Sequence, residues 1–157
     1  MAHITIEYMI MIPVLILQIF LFPIVAGVIM DGYTDSRRTL ELQETAGHLG
    51  STIQQLYYTI NHATMNGSLK FSLNIPETIE QYPYTVTLRN VTDRDTSYSV
   101  MNITLSFINI EGFSSTLVTL GNNVEWQDNL SFNSNTPNLY LSANKTAENI
   151  VLSFGGT

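Results

Sequence analysis

From Tyr8 to Met30 the chain reads YMIMIPVLILQIFLFPIVAGVIM, 23 residues without a charged side chain. Apart from the Tyr8 hydroxyl, its one polar side chain is Gln18. Coiled as an α-helix at about 1.5 Å per residue, the run reaches roughly 34 Å, enough to cross a hydrocarbon core about 30 Å thick. Apolar residues fall on every side of that helix, so it offers no face to water and must lie in lipid or among other helices. A cleaved secretory signal fits poorly. Such signals have a basic start and an apolar run of about 7–15 residues. This run is longer, and only Glu7 among the residues before it carries a formal charge.

Orientation receives two opposed signals. Arg37 and Arg38 follow the run, and positive residues tend to stay on the cytoplasmic side. Five Asn-x-Ser/Thr sequons argue the other way: Asn66, Asn90, Asn102, Asn129 and Asn144. All lie after the apolar run and none has proline in the middle, a pattern expected of an exported, glycosylated surface. Charged residues make up only 12% of the chain and the net charge is −7, so with no Lys/Arg cluster a nucleic-acid partner is excluded. The absence of cysteine excludes disulfides and thiol chemistry.

Beyond the apolar run the pattern changes twice. Leu42, Ala46, Leu49, Ile53, Leu56 and Ile60 recur at steps of four and three, one apolar stripe on a helix that buries a single face. Asp35 or Ser36 is expected to cap this helix, with Gly32 as a joint behind it. Gly47 and Gly50 weaken it by about 1 kcal/mol each relative to alanine, a cost that would permit close approach of a neighbouring element. The stripe ends near Met65-Asn66-Gly67, and the period then becomes two. Alternation is clear in LKFSLNI, YTVTL, SYSVMNITLSFI, STLVTL and NIVLSF, and weaker in NVEW, NLSF and NLYL. Alternation means one buried and one wet face, hence antiparallel sheet. The expected fold class is α+β: a helical arm over residues 1–66, apolar over 8–30 and amphipathic over 36–63, then an antiparallel, β-sandwich-like domain over 67–157.

With those features in place, HITIEYMIMIP resembles the class III signal region of archaeal type IV pilin-like proteins. That pattern runs approximately Gln-x-Ser-x-Glu-aromatic into an apolar helix. Here Thr5 stands at the Ser, Glu7 at the Glu and Tyr8 at the aromatic, while His3 replaces the Gln. The stretch NIPETIEQYPYTVTL is also similar to the opening strands of the β domains of such proteins. The resemblance implies a helical homopolymer built on the apolar helix, inserted in the membrane before assembly and served by a prepilin peptidase and pilus assembly machinery. Cleavage would fall between Ala2 and His3, making Glu7 the fifth residue of the mature chain, although the pattern's basic leader is missing from the two residues before that point. Glu7 would then pair with the α-amino group of a neighbouring subunit. Desolvation offsets much of such a pair's attraction, leaving register rather than net stability as its role. By itself, a carboxylate at that place also simply complements the helix dipole, worth about 0.3–1 kcal/mol.

Three further groups in the apolar run have assembly chemistry. Pro13 and Pro23 each remove a backbone hydrogen bond, freeing the carbonyls of Met9 and Ile19, and kink or loosen the helix. Gln18 lies between them, placed to bond a freed carbonyl or a neighbouring helix. Enzymatic motifs are lacking. No phosphate loop or nucleophile pattern occurs, and His48 and His62 stand about 21 Å apart along a helix, too far to share a metal. Asp93-Arg94-Asp95 is acidic but lacks the further oxygen ligands that calcium takes. The expected function is a non-enzymatic, cofactor-free filament subunit with its β domain on the cell surface, serving adhesion. The alternative is a membrane-anchored surface glycoprotein that does not polymerise.

Overall fold

The computed structural model describes residues 2–62, 66–91, 98–127, 131–147 and 149–156, with the backbone alone for residues 2–8 and Tyr98. One helix, α1 (Ala2–Ile60), is followed by eight strands: β1 (Gly67–Ser72), β2 (Tyr84–Asn90), β3 (Tyr98–Phe107), β4 (Phe113–Gly121), β5 (Val124–Trp126), β6 (Ser131–Asn133), β7 (Tyr140–Thr146) and β8 (Asn149–Gly155). The strands form two four-stranded sheets, in the orders β1-β7-β8-β5 and β4-β3-β2-β6. The chain thus has the α+β layout of a long apolar N-terminal helix and two antiparallel-rich sheets. It divides into two compact units, Met1–Arg37 and Arg38–Thr157.

In the second unit the stripe of α1 behaves as its spacing requires. Leu42, Ala46, Leu49, Ile53, Leu56 and Ile60 are all buried, joined by Tyr57. They share one core with the inward residues of both sheets, among them Val86, Leu88, Ile103, Leu105, Leu141 and Leu152. Full burial of each large aliphatic side chain contributes about 1.5–3 kcal/mol before conformational entropy. At Gly50 helix and sheet approach closely: a Cβ there would stand 2.9 Å from Val118 Cγ2. Gly47 has nothing within 4 Å of its corresponding position.

Three polar arrangements fix the connections. Tyr57, Asn61 and Asn123 form a closed set: Tyr57 Oη bonds Asn123 Oδ1 at 3.3 Å, Asn61 Nδ2 donates to Tyr57 Oη at 3.1 Å, and Asn123 Nδ2 donates to Asn61 Oδ1 at 3.1 Å. The end of α1 is thereby tied to the β4–β5 turn. Lys145, buried, donates from Nζ to the His62 carbonyl at 3.0 Å, where a cation complements the end of the helix dipole. Fully buried Tyr84 donates its phenol to the Pro76 carbonyl at 2.7 Å, and its amide donates to Ser134 Oγ, which donates to the Glu77 carbonyl at 2.6 Å. Burial pushes the Tyr84 phenol well above the ordinary tyrosine range.

Several expectations need correction. No cap interrupts the helix at Asp35 or Ser36. α1 runs through, and the Ser36 hydroxyl donates back to the Gly32 carbonyl at 2.8 Å, as Thr34 does to Met30 at 2.9 Å. Intrahelical back-bonding satisfies those hydroxyls as well as a cap would. β7 continues to Thr146 rather than ending with NLYL, because pairing with both β1 and β8 outweighs the poor strand propensity of Ala143, Asn144 and Lys145. The pairing of β5 with β8 is parallel, within sheets otherwise antiparallel. Along LKFSLNI, Leu73 is buried and Leu69 packs against the core, but Phe71 is 45% exposed. β1 is an edge with only β7 beside it.

Candidate membrane and assembly helix

The described large apolar side chains from Met9 to Met30 are all exposed, from 47% at Val25 to 76% at Met9. Among the described residues, the helix is long and apolar enough to cross a membrane, and none of its most apolar window is buried within the chain. A soluble domain seldom exposes an apolar patch above a few hundred Å². Here an entire helical surface is apolar, compatible with membrane insertion.

Pro13 and Pro23 lie inside α1. Each sits beside a shallow groove. Pro13, Ile16, Leu17, Phe20, Leu21 and Ile24 line one of about 490 Å³. Leu15, Gln18, Ile19, Phe22, Pro23 and Val25 contribute to another of about 670 Å³. Gln18 is exposed and borders the second groove. Gln18 supplies the single side-chain amide lining these grooves. Glu7, Ala2 and His3 belong to α1 by their backbone, but their side chains lie outside the described residues.

The sequons distribute over the second unit. Asn66 is exposed just before β1, Asn90 is exposed at the end of β2, and Asn144 is exposed on β7. The Asn90 Oδ1 accepts from Ser99 Oγ at 3.1 Å. Asn102 is half-buried on β3, opposite Arg89 on one side and Leu117 on the other, and its buried Oδ1 has no hydrogen-bond partner. Asn129 lies outside the described residues, as does Asp93-Arg94-Asp95.

Comparison with protein-family models, with curated proteins and with solved structures gives no match.

Two features of the second unit escaped the sequence pattern. A groove of about 350 Å³ runs beside α1, lined by Glu41, Glu44 and His48 of the helix and by Asn74, Pro76 and Thr78 of the following loop. Among the described residues, no group of three or more His, Asp or Glu could hold a metal ion. At Ile79–Tyr82 the chain turns tightly through left-handed Glu80 (φ 47°) and Gln81 (φ 73°), closed by reciprocal backbone bonds of 3.0 and 2.9 Å. Arg38 holds that turn, with Nε 2.9 Å from Glu80 Oε2 and the guanidinium 5.0 Å above the Tyr82 ring. The usual signal for such a turn is Asn-Gly, and Glu-Gln does not announce it.

Proposed function

We propose that this chain is a structural subunit, without enzymatic activity or cofactor, of an extracellular filament of the archaeal type IV pilus kind, polymerising through its apolar helix. The carrying observation is a helix apolar on all sides and unburied within its own chain, joined to a folded β domain. Burying half of a 23-residue apolar helix against copies of itself removes on the order of 1,000 Å² from water, nominally about 25 kcal/mol before entropy and docking costs. That suffices for a non-covalent polymer in a chain without cysteine. Before assembly the same helix sits in the membrane. Register comes from the few groups that break its uniformity: Glu7, Gln18, Pro13 and Pro23. The β domain, glycosylated at its sequons, faces outward at the cell surface and serves adhesion. Prepilin peptidase cleavage between Ala2 and His3 supplies the free amine that Glu7 pairs with.

Electron microscopy of surface material, with mass spectrometry of its N-terminus, tests this reading. Filaments containing the chain, beginning at His3, are expected. Glu7→Ala is expected to leave the β domain folded and the protein in the membrane while assembly fails. Unchanged filaments from that variant would remove Glu7 from the mechanism. Dispersed wild-type monomers in the membrane would favour a surface glycoprotein anchored by the same helix.

A further inference from the structure

β4 is an edge strand paired only with β3, in register from Tyr98–Gly121 to Ser106–Phe113. The Phe107 amide donates to the Gly112 carbonyl at 3.2 Å, which fixes the alternation of hydrogen-bonded pairs along the ladder. Ser114, Thr116, Val118 and Leu120 therefore turn their backbone groups toward β3. Phe113, Ser115, Leu117, Thr119 and Gly121 turn theirs away, and among the described residues nothing bonds the first four there. Five donors and five acceptors stand in a row along one edge, four of each from Phe113 to Thr119.

Natural sheets blunt such edges with shortness, lysine, proline or a bulge. The other edges here are blunted: β5 and β6 have three residues each, and β1 carries Lys70. β4 has nine residues with neither charge nor proline. Its outer face holds Phe113 70% exposed and Leu117 66% exposed. Gly50 of α1 packs on the inner side of β4, at Val118 and Thr116.

We infer that the β4 edge is a docking surface for a second copy of this chain, β4 pairing antiparallel with β4 about a two-fold axis at Thr116. A chain of net charge −7 would meet its copy along this strip with no charged side chain on either strand. A charged partner would gain no complementarity there. An isologous contact needs a self-complementary strip, and β4 is one. With the axis at Thr116, Phe113 faces Thr119 of the second copy and Ser115 faces Leu117 of the second copy. Symmetry repeats both pairs, and all eight outward groups from Phe113 to Thr119 find partners. That register sets no charge opposite another and spares Gly121, whose face Tyr57 covers. The contact closes at two copies and stands independently of the filament reading.

The test uses the full chain in detergent micelles with Thr116→Cys, in a background without cysteine. In this register residue 116 meets its copy across a non-hydrogen-bonded pair, where Cβ atoms are about 4.5–5.5 Å apart, close to disulfide reach. Mild oxidation is expected to give mostly disulfide-linked dimer. Adding Leu117→Lys, at an exposed position, or Ser115→Pro, which removes an outward amide, is expected to cut the yield at least fivefold. Ser72→Cys on the β1 edge should stay monomeric. Helix-driven association is common to all these variants and cannot separate them. The inference falls if Thr116→Cys links no faster than Ser72→Cys, or if Leu117→Lys leaves its yield unchanged.

Discussion

Two glycines three residues apart on α1 should respond to alanine with opposite signs. In a helix interior, Gly→Ala is worth about 1 kcal/mol through backbone entropy alone. Gly47 is exposed and its added Cβ would meet nothing within 4 Å, so Gly47→Ala should realise most of that gain. Gly50 is buried, and its Cβ would stand 2.9 Å from Val118 Cγ2, 3.5 Å from Thr116 Cγ2 and 3.8 Å from Ile103 Cδ1. Val118 and Thr116 are β-branched and stiff at χ1, on a strand held in register by β3, so helix or strand must give. Overpacking of this kind costs about 1–3 kcal/mol. After the propensity gain, Gly50→Ala should be destabilising by about 0–2 kcal/mol. The two variants should differ by about 1–3 kcal/mol, or roughly 4–15 °C in Tm for a unit of this size. Thermal unfolding of the full chain in one detergent, followed by near-ultraviolet circular dichroism of Trp126 and the tyrosines, measures the difference. Equal stabilisation by both substitutions would show that the approach of α1 to β4 is looser than described and that the glycines serve no packing role.

Tyr84→Phe orphans the Pro76 carbonyl and should cost about 1–3 kcal/mol in denaturant titration, with an unchanged slope. Because the folded phenol is held above the ordinary value near 10, its contribution is fully present below about pH 10 and is lost as pH rises beyond it, when the unfolded chain releases the proton first. The wild type should therefore lose more stability between pH 9 and pH 11 than Tyr84→Phe, as paired melting curves will show. Gln81→Gly relieves a left-handed residue in the Ile79–Tyr82 turn and should raise stability by about 0.5–1 kcal/mol by the same denaturant assay. Native protein should exceed its polypeptide mass of 17.6 kDa by intact-mass spectrometry, with glycan at Asn66, Asn90 or Asn144, whose side chains are exposed. A bare polypeptide would remove the main support for export.

The strong periodicities were legible without the fold. An uncharged run apolar on all sides, a stripe at steps of three and four, and alternation in β2, β3, β4 and β8 each follow from local geometry and the need to bury one face. Failures occurred where tertiary neighbours supply what the local sequence does not. Ser36 has the chemistry of a cap, yet in a helix that continues it bonds back to Gly32 instead. Lys145, in the part of β7 beyond NLYL, is buried because the end of α1 offers it the His62 carbonyl. Of the candidate assembly groups, Gln18, Pro13 and Pro23 were legible as departures from an otherwise uniform rod. The grooves beside them belong to the packed surface of the helix and have no one-dimensional signature.

The sequence by itself determined that residues 8–30 form an apolar helical rod long enough to cross a membrane, and that a β domain follows an amphipathic helix. Those are consequences of hydrophobicity and period, properties each segment carries alone. Only the tertiary structure decided which strands stand at the edges, because β4 is an edge by the order β4-β3-β2-β6 and not by its composition. It also decided that Gly50 rather than Gly47 meets the sheet, since both positions are equally helical and only one faces Val118. Edge position and close approach are relations between segments distant in the chain, so their energy is set by what packs alongside and not by what is adjacent in sequence.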